Sequence, residues 1–179
     1  HYTILDAGGP TNVVPGKAVA EYTLRSYNTQ YLSEVVKWFM DILKGAALIT
    51  GTTYTVERDP AYKAKIPCMR LNDLIMENAK AFDAPQITPP REKTGSTDFG
   101  NVMYKVPGSC IRLAFVPAGT AAHSEGYLNA GKSEDAHRAV RLSAEILAGT
   151  CLDILEDPQL MTEIKEDFAR RKEQMAKSI

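Results

Sequence analysis

His123 stands in Gly119-Thr-Ala-Ala-His-Ser-Glu-Gly-Tyr127, a loop of mostly small residues just after the short apolar run Ile111–Val116. An imidazole can ligate a metal or move a proton near neutral pH. A polar residue just past the C-terminal end of an α/β strand lies where such folds form their sites; the bland alternative is a surface histidine. The other two histidines carry less. His137 falls early in a helical pattern beside Ala136 and Val140 and reads as a packing residue, and His1 reads as a strand residue. Asp98, in Gly-Ser-Thr-Asp-Phe-Gly-Asn, could ligate, act as a base or close an Asx turn, and the turn is the default. Arg25 ends an alternating strand, where its planar guanidinium could clamp a carboxylate or simply face solvent. Asn12, ahead of Val-Val-Pro, could donate its amide to a substrate oxygen or stabilise its turn.

By themselves these residues give no enzyme. The sequence has no His-x-Asp, His-x-His or His-Glu-x-x-His and no adjacent glutamates, and neither a glycine-rich phosphate loop nor a Gly-x-Ser-x-Gly elbow is expected in it. A catalytic metal takes about three protein ligands, and no such cluster can be assembled. Cys68, Cys110 and Cys151 are far apart without a CxxC pair, which predicts reduced, mostly buried thiols in a cytosolic protein. With 21 basic and 22 acidic residues the net charge is −1, so no broad field points to nucleic acid or an anionic membrane. No apolar run approaches the roughly 18 residues of a transmembrane helix.

The elements that would carry these side chains follow from pattern. Residues 1–6 read as extended, and Ala7–Thr11 as a turn. Lys17–Arg25 alternates, with Ala18, Ala20, Tyr22 and Leu24 on one side and Lys17, Glu21, Thr23 and Arg25 on the other. Thr29 is the expected N-cap of a helix whose apolar stripe is Leu32, Val35, Val36, Phe39, Met40, Leu43, Ala46 and Ala47. Tyr54–Arg58 alternates as a further strand, so residues 1–66 suggest a small α+β sandwich on an antiparallel sheet. After a boundary near Pro67, Leu71, Leu74, Ile75, Ala79 and Phe82 mark a helix, and Pro85–Ser96 a linker or functional loop. Ile111–Val116 reads as a strand buried on both faces. Ser133 should cap a helix to about Leu155, and Asp157-Pro158 should open another, with a charged tail, Arg170–Lys177, fraying into solvent.

Taken together, three segments resemble the M20 metallopeptidase and amidohydrolase family. Gly8-Gly-Pro-Thr-Asn-Val-Val-Pro and the strand to Arg25 are similar to its lid-domain stretch, Gly95-Ser-Thr-Asp-Phe-Gly-Asn-Val to its Ser-Thr-Asp-x-Gly-Asp-Val-Ser segment, and Ala122-His-Ser to its late Ala-His-Ser segment. The nearest branch is the aminobenzoyl-glutamate hydrolase group. The resemblance covers nearly the whole chain but only the second half of a family member. It implies an α/β organisation: residues 1–66 as part of an α+β lid and dimerisation domain, residues 67–179 as the C-terminal part of a catalytic domain that holds two divalent metal ions, usually zinc.

Carried over by position, His123 matches a metal ligand, Asn12 a substrate-contacting amide, Arg25 a carboxylate clamp and Asp98 a structural or supporting aspartate. The family pattern has Asp where this chain has Asn101, and Ser where it has Tyr104. Its His-x-Asp ligands, bridging aspartate and paired glutamates fall outside these residues, and His1-Tyr-Thr-Ile-Leu5 reads like the inside of a strand. The resemblance therefore implies a homodimeric amidohydrolase of small amide or peptide substrates, with this stretch inactive alone; the cysteines and the charge balance add the expectation of a cytoplasmic protein that binds neither nucleic acid nor membrane. The alternatives are a non-catalytic dimerisation or binding module, or a parent enzyme acting on dipeptides or N-acyl amino acids.

Overall fold

The computed structural model describes residues 1–88 and 95–177. The fold mixes α and β with helices dominant, and it divides into two compact units, His1–Ala64 and Lys65–Lys177. Among the described residues no helix is long and apolar enough to cross a membrane.

In the first unit β1 (Tyr2–Asp6) pairs antiparallel with β2 (Val19–Tyr22), in the register Tyr2 to Tyr22 and Ile4 to Ala20, with an irregularity between Ile4 and Asp6. The ladder continues one step past β2, where Thr23 N–H donates to the His1 carbonyl. Helix α1 (Thr29–Thr50) follows. Its N-cap is Asn28, not the expected Thr29: the Asn28 side chain accepts from the N–H groups of Gln30 and Tyr31, while Thr29 Oγ1 accepts from Ala64 N–H. Gly51, in the left-handed region at φ 66°, closes the helix. Tyr22 packs between Tyr2, at 5.7 Å, and Phe39 of α1, at 4.9 Å, and so joins helix to ribbon. Leu32, Val35, Val36, Phe39, Met40, Leu43 and Ala47 are half-buried as their spacing predicts, whereas Ala46 is exposed. No residue of this unit is fully buried, because one helix on two short strands has too little apolar face to enclose a core.

Tyr54–Arg58 forms no strand. These residues are exposed and enter no backbone ladder, since no strand lies beside them among the described residues.

The second unit is built from helices: α2 (Met69–Ala81), α3 (Phe99–Met103), α4 (Glu125–Ala130), α5 (Glu134–Glu156) and α6 (Pro158–Lys177). Helix α2 lies at its centre. Leu74 joins Ile66, Cys68, Met103, Ile164 and Phe168 in one cluster, and Ile75 and Ala79 meet Ile146 of α5 in a second. Gly149 of α5 leaves no room for a Cβ against Asn78 and Phe82, so the two helices cross closely there. Asn78 Nδ2 spans the crossing, donating to Asp153 Oδ2 at 2.6 Å. Ser133 caps α5 by accepting from Ala136 N–H, as expected. Asp157 opens α6 by accepting from Gln159 N–H. The charged tail does not fray. It stays helical to Lys177, with Lys177 on Glu173 and Lys172 Nζ donating to the Tyr104 carbonyl at 2.8 Å.

Ile111–Val116 is likewise not a strand buried on both faces. It alternates, with Ile111, Leu113 and Phe115 half-buried and Arg112 and Ala114 exposed. Ile111 and Leu113 rest on the α2–α5 cluster, and among the described residues no backbone hydrogen bond pairs the segment. Of Pro85–Ser96, residues 89–94 lie outside the described residues.

One carboxylate fastens α6 to α2. Asp167, buried on α6, accepts through Oδ2 from the N–H groups of Met69 (2.7 Å) and Arg70 (3.2 Å), and through Oδ1 from Arg170 and Arg171. Burial alone would raise its pKa, but these donors outweigh burial and hold it below the ordinary carboxylate value. A group depressed in this way stabilises the fold above its unfolded pKa, and the contribution is lost as pH falls through the folded value. Asp167→Asn should therefore cost about 2 kcal/mol at neutral pH and weaken the acid dependence of unfolding, measured by denaturant titration from neutral pH into acid.

Candidate active site

Asn12 and Arg25 both belong to the first unit, at opposite ends of its ribbon. The loop from Ala7 to Ala18 closes one end of β1 and β2, and Asn12 lies in its tight turn, where Val13 N–H donates to the Pro10 carbonyl at 3.0 Å. Arg25 leaves from the other end, six residues beyond Val19, which spans about 20 Å if extended. Both side chains are exposed.

Asp98 and His123 belong to the second unit, and no hydrogen bond joins them. Asp98 is exposed at the start of α3 and accepts from Thr97 Oγ1 at 3.2 Å. The local turn is made by Thr97, whose Oγ1 accepts from Phe99 N–H at 3.3 Å, so the Asx-turn reading of Asp98 gives way to its threonine neighbour.

His123 is exposed and has a left-handed backbone, φ 63°, a region that histidine visits more readily than β-branched residues do. Its surroundings fix that geometry. Thr120 N–H and Oγ1 both donate to the Pro117 carbonyl, with Gly119 at φ 89° between them. On the other side Ser124 caps α4, its Oγ donating to the Ala121 carbonyl at 2.7 Å and accepting from Tyr127 N–H. Tyr127 meets Phe115 edge-on at 4.9 Å, which ties the loop to the Ile111–Val116 segment. Strained backbone over-determined by its neighbours is common where a side chain must be aimed.

A metal pair is what the resemblance implies, and the residues present do not fit one. Among the described residues no three His, Cys, Asp or Glu side chains gather. The thiols do not help. Cys110 and Cys151 are exposed, against the expectation of mostly buried cysteines, and Cys68 is sealed in the core, where burial pushes its thiol pKa up.

One spacing escaped the motif reading. Gly126-Tyr-Leu-Asn-Ala-Gly-Lys-Ser133 has the G-x4-G-K-S form of a phosphate loop. The structure makes it the helix α4, a turn and the N-cap of α5, with Glu134 and Asp135 in the first turn, so it provides no nest of N–H groups for an anion.

No family model matches the chain. Among curated proteins it is 31% identical over 173 residues to the Xaa-Arg dipeptidase of Homo sapiens, covering 94% of this chain and 39% of that protein. The Mus musculus Xaa-Arg dipeptidase is 30% identical over 172 residues, covering 94% and 40%. A p-aminobenzoyl-glutamate hydrolase subunit of Escherichia coli (strain K12) is 23% identical over 224 residues, covering 93% and 46%. The chain is related to the M20 peptidases and amidohydrolases. It spans less than half the length of these M20 relatives.

The left-handed backbone at His123 has a stability consequence separate from any ligand role. His123→Gly should leave the thermal midpoint unchanged or raise it, while His123→Val should cost about 1 kcal/mol or more, read by thermal unfolding of the two variants side by side.

Proposed function

We propose that this chain is part of a metal-dependent amidohydrolase that cleaves an amide whose nitrogen belongs to an amino acid with a free carboxylate. The observation that carries the reading is the chemistry common to the relatives' names. An Xaa-Arg dipeptide ends in the carboxylate of its arginine, and p-aminobenzoyl-glutamate ends in those of its glutamate. Arg25 is the group for that carboxylate, as a guanidinium fork binds it with charge-assisted hydrogen bonds. Asn12 offers an amide N–H to the scissile carbonyl oxygen, where a positioned donor assists as negative charge develops. His123 is one ligand of the metal site, and Asp98, at the start of α3, is a supporting aspartate that accepts from Thr97 Oγ1.

The reading includes a homodimer formed through the first unit, as the resemblance implies. Because the remaining metal ligands are not among these residues, the 179-residue chain alone is inactive. The free thiols suit a reducing compartment such as the cytosol. A non-catalytic binding module is the second reading, favoured by the lack of a gathered ligand set among the described residues.

The test is kinetic, on the whole protein. Arg25→Ala should raise KM for Xaa-Arg dipeptides and aminobenzoyl-glutamate about tenfold to hundredfold, with a smaller change in kcat. The carboxyl-amidated substrates should be equally poor for wild type and variant. An unchanged KM removes Arg25 from the clamp, and no turnover of either substrate by the wild-type whole protein favours the binding module.

A further inference from the structure

The ribbon of the first unit has one face turned to α1 and one face open. Tyr2 and Tyr22 stack on each other and Tyr22 meets Phe39, so this cross-strand pair turns towards the helix. Side chains alternate along a strand, which sends Thr3 and Glu21, opposite each other in the ladder, to the other face. The alternation runs on past β2. Thr23 N–H still pairs with the His1 carbonyl, Leu24 is half-buried, and Thr23 and Arg25 are exposed. Glu21, Thr23 and Arg25 therefore share the open face, and Glu21 is the acidic one of the three.

Four residues of extended chain put Glu21 about 13 Å from Arg25. Among the described residues Glu21 enters no ion pair. The separation decides two things. It exceeds the screening length of about 8 Å at physiological salt, so Glu21 does not cancel the attraction of Arg25 for a carboxylate. It also matches the length of a cationic amino acid. The carboxyl carbon of arginine or lysine lies six bonds from the charged end of the side chain, about 7 Å when extended. A charge-assisted hydrogen bond at each end adds about 3 Å. An amino acid held by its carboxylate on Arg25 thus brings a guanidinium or ammonium within reach of Glu21. Glutamate, shorter by two bonds, turns a like charge towards it instead. Thr23, between the two, presents only a neutral hydroxyl.

We propose that Glu21 is a specificity-determining residue, selecting a cationic over an anionic side chain on the amino acid whose carboxylate Arg25 holds. The proposal deepens the function proposed above and rests on Arg25 as the carboxylate clamp.

The test is calorimetric binding of free amino acids to the whole protein, which needs no turnover. L-Arginine, L-norleucine and L-glutamate share the carboxylate and differ in carrying a cationic, a neutral and an anionic side chain. Wild type should bind arginine about fivefold tighter than norleucine, as an exposed charge pair provides, and glutamate more weakly than either. The arginine preference should shrink as salt rises. Glu21→Gln should bind arginine and norleucine alike, Glu21→Asp should keep the wild-type order, and Glu21→Lys should put glutamate ahead of arginine. Glu21 is exposed, so circular dichroism of the variants should match wild type. Arg25→Ala should weaken all three amino acids together. The inference is overturned if wild type binds arginine no tighter than norleucine, or if the preference survives in both Glu21→Gln and Glu21→Lys. A failed turnover assay leaves these measurements standing, and an indifferent Glu21 leaves the kinetic test of Arg25 intact.

Discussion

Every extended segment presents a backbone N–H and C=O along each edge that must find a partner or water, and this constraint governs how much of the chain is built. A helix meets it internally, each N–H reaching back four residues. A strand cannot. Of the four segments expected to be extended, only Tyr2–Asp6 and Val19–Tyr22 pair among the described residues, because a single loop joins them. Tyr54–Arg58, by its alternation, and Ile111–Val116, by its apolar run, also read as strands but have no neighbour to pair with among the described residues. Ile111–Val116 retains half of strand behaviour: its apolar side rests on the α2–α5 cluster while its backbone enters no ladder among the described residues.

The same contrast explains what was legible in the sequence. The long helices α1, α2, α5 and α6 lie where the apolar spacing and the caps Ser133 and Asp157 put them, since both signals act within a few residues. What failed was non-local. Period-two alternation reports the faces a segment offers, but pairing depends on distant chain. A helix end also differs from its pattern: Asn28, not Thr29, caps α1, and Thr29 Oγ1 instead accepts from Ala64 N–H, 35 residues away. Nor does a pattern reveal that Asp167, one charge among many on α6, closes the N-terminus of α2 and joins the two helices.

The candidate site was legible residue by residue and not as an assembly. His123 could be picked from a loop of small residues, but its left-handed backbone depends on two flanking turns, around Pro117–Thr120 and Ala121–Ser124, that composition only hints at. Asn12 and Arg25 are thirteen positions apart, and nothing in that interval announces that a strand sets them at opposite ends of a ribbon. Distance along the chain is therefore informative only once the pairing of β1 with β2 is known, because the ladder decides from which end of the ribbon each of two exposed side chains leaves.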